Sequence, residues 1–301
     1  MKFFTIITCL LSLLMLGVGG FSAPVKAQGA NNILVPDFEH FYDDVTLEKL
    51  SKLYWRLNKF DISDNQSIDD FLRINECDIY TQYIFNEFEW QGVRKKAREY
   101  ITQNVETFPD RFKFEQPLRL KDYNARTQMF EILPEYQIDG IRKFEVYAKD
   151  IDERVCLASG NRGVKQIENY PKVLLVELNQ PVNLTQIPVQ PAVAKRYIDE
   201  KMQEFLKIRE SRRSREVMYS LRDAYIVMKF RAFSYKGTDI IMNGLERDNI
   251  YAMLEGYEIY ADPNHEVLLY FENYIRKSQE KPLDVRLKEQ FEALKKKRNQ
   301  D

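Results

Sequence analysis

The sequence predicts an α+β protein: an N-terminal helical layer, then two antiparallel β units joined by a proline-rich connection and a helix, then a C-terminal amphipathic helix. Three observations carry that reading. Up to the Pro109 region apolar residues recur at spacings of three and four, from Phe112 the period drops to two, and one short pattern is used twice. Phe144–Asp150 reads FEVYAKD and precedes Glu153–Leu157; Tyr257–Pro263 reads YEIYADP and precedes Glu266–Tyr270. In both copies two β-like runs flank an Asp-containing break, the pattern of a hairpin. Leu120-Lys121-Asp122 and Leu221-Arg222-Asp223 extend the echo upstream. Two readings follow: related β units near 112–180 and 216–272, or a chance likeness between two hairpins. The expected division is 1–27, 28–111, 112–190 and 191–301.

The chain opens with Lys2, an apolar run from Phe3 to Val18, and small residues up to Ala27, the order of a secretory signal peptide cut before Gln28. The run falls short of the roughly 20 apolar residues of a membrane span. An uncleaved anchor is the alternative. Asp37–Asp44 packs aromatics among acids beside His40. Thr46 then caps a helix carrying Leu47, Leu50, Tyr54 and Leu57. Ser67 is expected to cap a second, with Ile74, Cys77, Ile84 and Phe88 on one stripe. A third follows Gly92, with Val93, Ala97, Ile101 and Val105 four apart, and stops before Pro109.

Strands are expected at Phe112 and Phe114, Thr127–Leu133, Phe144–Ala148, Val155–Ala158 and Val173–Leu178, with breaks at Pro134, Gly140, Gly160 and Pro171. Phe144, Val146 and Ala148 share one face, Glu145, Tyr147 and Lys149 the other. Pro181, Pro188 and Pro191 lead into a helix over Ala192–Arg213. The second unit has Tyr225–Phe233, Ile250–Leu254, Tyr257–Ala261 and Val267–Phe271, with turns at Gly237, Gly244 and Asp262-Pro263. A last helix after Pro282 places Leu287, Phe291 and Leu294 together and ends at Lys295–Arg298, where cations suit the helix dipole.

The leader takes two of the 45 basic residues and none of the 46 acids, so the remainder carries a net charge of −3. Nothing there favours nucleic acid as a partner, which calls for a clear basic excess. Cys77 and Cys156 are the cysteines left after cleavage. In an oxidising compartment they read as one disulfide tying the helical layer to the β region, against two separately buried thiols.

Among the sequence motifs there is no glycine-rich phosphate loop, CxxC, GxSxG or HExxH, and only His40 and His265 offer imidazoles. No cofactor or metal is expected; His40 with Asp43 and Asp44 reads as an acidic approach to the first helix. Glu87 and Glu89 are the nominal pair for a carboxylate hydrolase, although residues two apart on a helix point different ways. Trp55, Trp90, Tyr147 and Tyr260 are candidate binding aromatics for a sugar or peptide if their faces are exposed, with core packing as the default for such residues. Lys207–Arg215 holds a basic run that reads as a solvated helix end or as a contact for anionic lipid.

At Ile68–Trp90, with its FLRINECDIY and FNEFEW segments, the chain resembles an uncharacterised family of exported bacterial proteins, a domain of unknown function. The resemblance implies a bacterial, periplasmic or secreted address and supplies no catalytic residues. The expected function is a non-enzymatic binding or structural module of the cell envelope, with an envelope protein, peptide or glycan as partner. The alternative is an envelope hydrolase using paired carboxylates.

Overall fold

A computed structural model describes residues 40–149, 156, 167, 169–210, 221–241 and 244–275. The signal segment, most of the Val155–Ala158 strand and the C-terminal helix lie outside the described residues. The helical layer comprises α1 (Leu47–Arg56), α2 (Asn65–Asn75), α3 (Cys77–Tyr83) and α4 (Glu87–Asn104). Thr46 caps α1 as expected, its hydroxyl accepting the Lys49 N–H at 3.2 Å. For α2 the cap is Asp64 rather than Ser67. Its carboxylate accepts the N–H groups of Gln66 and Ser67 and sets negative charge at the helix start, which a serine hydroxyl does not.

The single second helix of the sequence reading is interrupted. The chain leaves helical geometry at Glu76 (φ −133°), runs as α3 to Tyr83, and restarts where Asn86 caps α4. Each restart resets the helical phase, so Phe88 does not join the buried stripe: it is 92% exposed. The third helix accordingly begins before Gly92, which lies inside α4.

The remaining elements are one nine-stranded mixed sheet and α5 (Pro191–Glu210). A short pair of residues, β1 (Asp43–Asp44), joins β2 (Arg111–Asn124), which is followed by β3 (Met129–Ile132), β4 (Ile138–Tyr147), β5 (Val173–Leu184) and β6 (Gln186–Pro188). After α5 come β7 (Asp223–Ile240), β8 (Glu246–Tyr260) and β9 (Leu268–Asn273). The main path runs β4-β5-β8-β7-β2-β3-β6. The strands expected as two units therefore share one sheet: β8 lies between β5 and β7, parallel to the first and antiparallel to the second. Two separate β units of this size would each leave long edges and an unburied apolar face, which joining them removes.

Of the two expected hairpins, the second forms. β8 and β9 are antiparallel, and the Asp262 carboxylate gathers the N–H groups of Asn264, Glu266 and Val267. In the first, β4 takes its described partner from β5, with Phe144 opposite Val176 and Val146 opposite Leu174. The face assignment holds: Phe144, Val146 and Ala148 are buried while Glu145, Tyr147 and Lys149 are exposed. Gly237 is not a turn but sits in β7 at a register shift against β8, whereas Gly244 (φ 71°) does turn the chain between them. Between Ile141 and Lys143, β5 advances five residues to two of β4, a bulge that includes Pro181. Bulges bend strands, and the sheet curls until Phe114 of β2 meets Phe144 of β4, ring centres 5.6 Å apart.

Buried residues of α1, α2, α4, α5 and the sheet form one apolar cluster. Into it runs an ion pair, Lys59 Nζ to Asp248 Oδ2 at 2.5 Å, with Asp248 fully buried. Lys59 also donates to the Asn169 carbonyl at 2.6 Å and lies over the Tyr54 ring; Thr238 donates to the other Asp248 oxygen. Burial pushes the lysine below and the carboxyl above their ordinary values, while each partner pulls the other back. Asp248→Leu alone strands a buried ammonium and is expected to cost about 3–5 kcal/mol, and Lys59→Met with Asp248→Leu less than either single change. Urea denaturation of the three variants decides it.

Candidate functional site

A cavity of about 710 Å³ opens between α2, α3 and α4, with Lys52 of α1 at its margin. α4 supplies Glu89, Gly92, Val93, Lys96, Ala97 and Tyr100, steps of three, one, three, one and three that keep all six on one side of a helix. α2 contributes Phe71, Leu72 and Asn75. α3 and its approach contribute Glu76, Ile79, Gln82 and Tyr83. Phe71, Leu72 and Ala97 are buried and make an apolar floor; Glu76, Glu89 and Lys96 are exposed at the rim. At this volume, with an apolar floor and a rim that carries Lys52, Asn75, Glu76, Gln82, Glu89 and Lys96, the groove falls in the size range of ligand sites.

Two of its walls are held firmly. Asp69 of α2 accepts from the Trp90 indole at 3.1 Å and from Arg94 Nε at 2.7 Å, which locks α4 to α2. The third wall is weaker, because α3 has no buried residue. It is held by the edge of Tyr80 against Trp90, ring centres 5.7 Å apart, and by the Cys77–Cys156 disulfide at its first residue. Cys156 is buried, and its carbonyl accepts from Arg73 of α2. Gly92 lies between the walls, and a Cβ built there meets nothing within 4 Å. A glycine in mid-helix costs stability relative to alanine, and here it leaves the groove open.

The predicted site residues fall in different places. Trp55 and Trp90 are not surface aromatics: both are buried, Trp55 donating to the Tyr170 hydroxyl at 2.9 Å and Trp90 to Asp69. A large ring with one polar atom satisfied inside is a core residue, and the clustered aromatics Phe60, Phe71 and Tyr170 draw Trp55 in. Tyr147 is exposed and Tyr260 half-buried. Each phenol donates to the carboxylate two residues earlier, Glu145 at 3.1 Å and Glu258 at 3.0 Å, so the sequence echo survives as a local contact. They share no surface. Tyr147 lies level with Arg247 across β5, and Tyr260 is 13 residues further along β8, about 40 Å of strand.

Glu87 and Glu89 are exposed on the first turn of α4; Glu89 lines the groove and Glu87 does not. His265 bonds Glu115 at 2.7 Å and packs on Tyr260, and His40 is half-buried. Among the described residues no three His, Cys, Asp or Glu side chains converge on a metal position. No helix among them is long and apolar enough to cross a membrane. The basic run after Lys207 lies outside the residues whose side chains are described. Sequence reading missed the groove because its walls depend on where the helices break. The available signal was Gly92 beside a helix start bearing two phenylalanines.

Replacing Cys77 and Cys156 by serine is expected to cost about 3–5 kcal/mol, as the bond closes a loop of 79 residues' separation. Hydrogen exchange should quicken in α3 more than in α1, since α3 has no buried residue and α1 has six.

No curated protein and no solved structure matches the chain. Residues 63–200, which include α2 to α4 and every wall of the groove except Lys52, match the model of a family described as Domain of unknown function (DUF4852).

Proposed function

We propose that this chain is an exported binding module of the bacterial envelope and that the α2–α3–α4 groove receives a protein segment bearing apolar side chains. The observation that carries the reading is the groove itself: an apolar floor of Phe71, Leu72 and Ala97 beneath a rim of mixed charge. An apolar floor suits leucine- or phenylalanine-like side chains, with the rim charges setting orientation. A glycan would ask for more hydrogen-bonding groups at the floor. Ile79, Phe85, Phe88 and Tyr100 add exposed apolar surface to the helical layer around the groove, while other exposed apolar side chains, Phe233, Tyr251 and Met253 among them, lie on the sheet.

Export is supported by the Lys2–Ala27 leader and by the Cys77–Cys156 pairing, which persists in an oxidising compartment. The mature protein begins at Gln28 and lies in the periplasm or outside the cell. Intact mass of protein recovered from its own cells should start at Gln28 and take up no alkylating reagent until reduced. A chain starting at Met1, or two freely alkylated thiols, would refute export with a disulfide.

For the groove, an environment-sensitive apolar dye should brighten with the mature protein at high dilution. Gly92→Leu should abolish the signal by filling the space above the floor. The variant should stay folded, since leucine favours a helix over glycine by roughly 0.8 kcal/mol. Undiminished dye binding in Gly92→Leu would place the apolar site elsewhere.

A further inference from the structure

We propose that the curled sheet takes up an extended peptide as an added strand in the slit between β2 and β4. The site shares no residue with the helical groove and is a second binding place beside it. β2 and β4 approach each other where the sheet curls, yet they are not hydrogen-bonded to one another. At one end of the slit β1 already stands between them: Asp43 and Asp44 pair with Phe112 and Lys113 of β2, and the Val45 carbonyl accepts the Lys149 N–H just past β4. The two edges are therefore held one strand apart, about 10 Å or twice the strand spacing. Beyond β1 no described strand continues the line. There a cavity of about 520 Å³ opens, with Gln116, Pro117 and Leu118 on one side and Ile141, Lys143 and Glu145 on the other.

The backbone of both edges is turned toward the missing strand. The Leu120 N–H donates to the Arg222 carbonyl and the Ala232 N–H to the Asp110 carbonyl, so even-numbered β2 residues direct their N–H and C=O to β7. The odd-numbered Glu115 and Pro117 direct theirs into the slit. A proline is tolerated there because its missing N–H takes no bond from the ladder. In β4 the Ala148 N–H bonds the Lys172 carbonyl, so Lys143 and Glu145, which alternate with it, also present N–H and C=O to the slit. Between β1 and β3 neither edge has a strand partner among the described residues. Open edges of this kind pair with extended chain.

The side chains define the kind of peptide that fits. Leu118, Ile138 and Phe144 are buried on the inner side of the slit, while Lys143 and Glu145 are exposed on the outer side. Successive residues of an inserted strand point inward and outward in turn, so the occupant carries apolar side chains at every second position and polar ones between. The open stretch of β2, Phe114 to Leu118, is five residues or roughly 17 Å long. It ends at the turn Pro134–Tyr136, where the Leu133 N–H bonds the Arg119 carbonyl. Main-chain bonds to both edges supply the affinity, and the small apolar floor selects the alternating pattern.

A fluorescein-labelled pool of heptapeptides that alternate valine, leucine or phenylalanine with threonine or lysine tests the proposal on the mature, disulfide-intact protein. Gly92→Leu is titrated beside wild type, so that the slit is read apart from the groove. Anisotropy should rise equally in both, and at saturation the amides of Glu115, Lys143 and Glu145 should exchange about tenfold more slowly. Glu145→Pro should weaken binding about five- to tenfold, the effect of one lost hydrogen bond. Methylating the central nitrogen of the peptides should do the same without touching the protein's own folding. Absence of binding would overturn strand addition and leave the groove reading standing. Binding that Gly92→Leu removes, that leaves the three amides unprotected or that ignores nitrogen methylation would overturn it by placing the peptides elsewhere. Slow exchange of the three amides before any peptide is added would show the slit filled by this chain or by a second copy, and would overturn the peptide assignment as well.

Discussion

β8 is hydrogen-bonded to three other strands, and the rest of the architecture follows from that sharing. Its first half pairs with β5 in parallel, its whole length with β7, and its second half with β9. A 15-residue strand with partners on both sides has its inner face buried along most of its length. Ile250, Ala252 and Leu254 join the core, and Asp248 beside them requires Lys59 as counter-charge. That lysine comes from the loop after α1, so placing β8 also positions the start of the helical layer. An unpaired carboxylate at that depth would be too costly to keep ionised.

The helical layer obeys a different economy of contacts. α1 and α2 each bury six residues, whereas α3 buries none and is tied down by the disulfide and the half-buried Tyr80 and Tyr83. A groove forms where a lightly held helix faces a firmly held one across small residues, here Gly92 and Ala97. The same breaks at Glu76 and Asn86 that free α3 also turn Phe85 and Phe88 outward. Groove and exposed rings thus have one local cause. The disulfide makes the hold on α3 depend on the oxidation state of Cys77 and Cys156.

Much of this was legible in the residues. The change of period near Phe112, the Thr46 cap, the Asp262-Pro263 turn, the inward face of β4 and the cysteine pairing all follow from local rules: side-chain alternation, capping chemistry, turn residues and the count of cysteines. Ser67 reads as a cap where Asp64 does the capping, because both residue types can cap a helix; Phe88 reads as part of a buried stripe because short-range spacing does not reveal the helix breaks before it. For Trp55 and Trp90 the structure takes the core-packing default over the binding-surface reading, and nothing in the sequence says which rings find Tyr170 and Asp69.

The sequence by itself determined the α+β class, most helices and strands and the buried face of β4, and it narrowed Cys77 and Cys156 to a disulfide or two buried thiols. Those properties depend on neighbours within a few residues or on there being a single partner to choose. Only the tertiary structure decided that the strands of both β segments share one sheet, that β5 and β8 run parallel, and that α2, α3 and α4 enclose a groove. Parallel pairing and cavity shape depend on contacts far apart in the chain, such as Lys59 with Asp248 at a separation of 189 residues, and residue patterns carry no record of which distant partners meet.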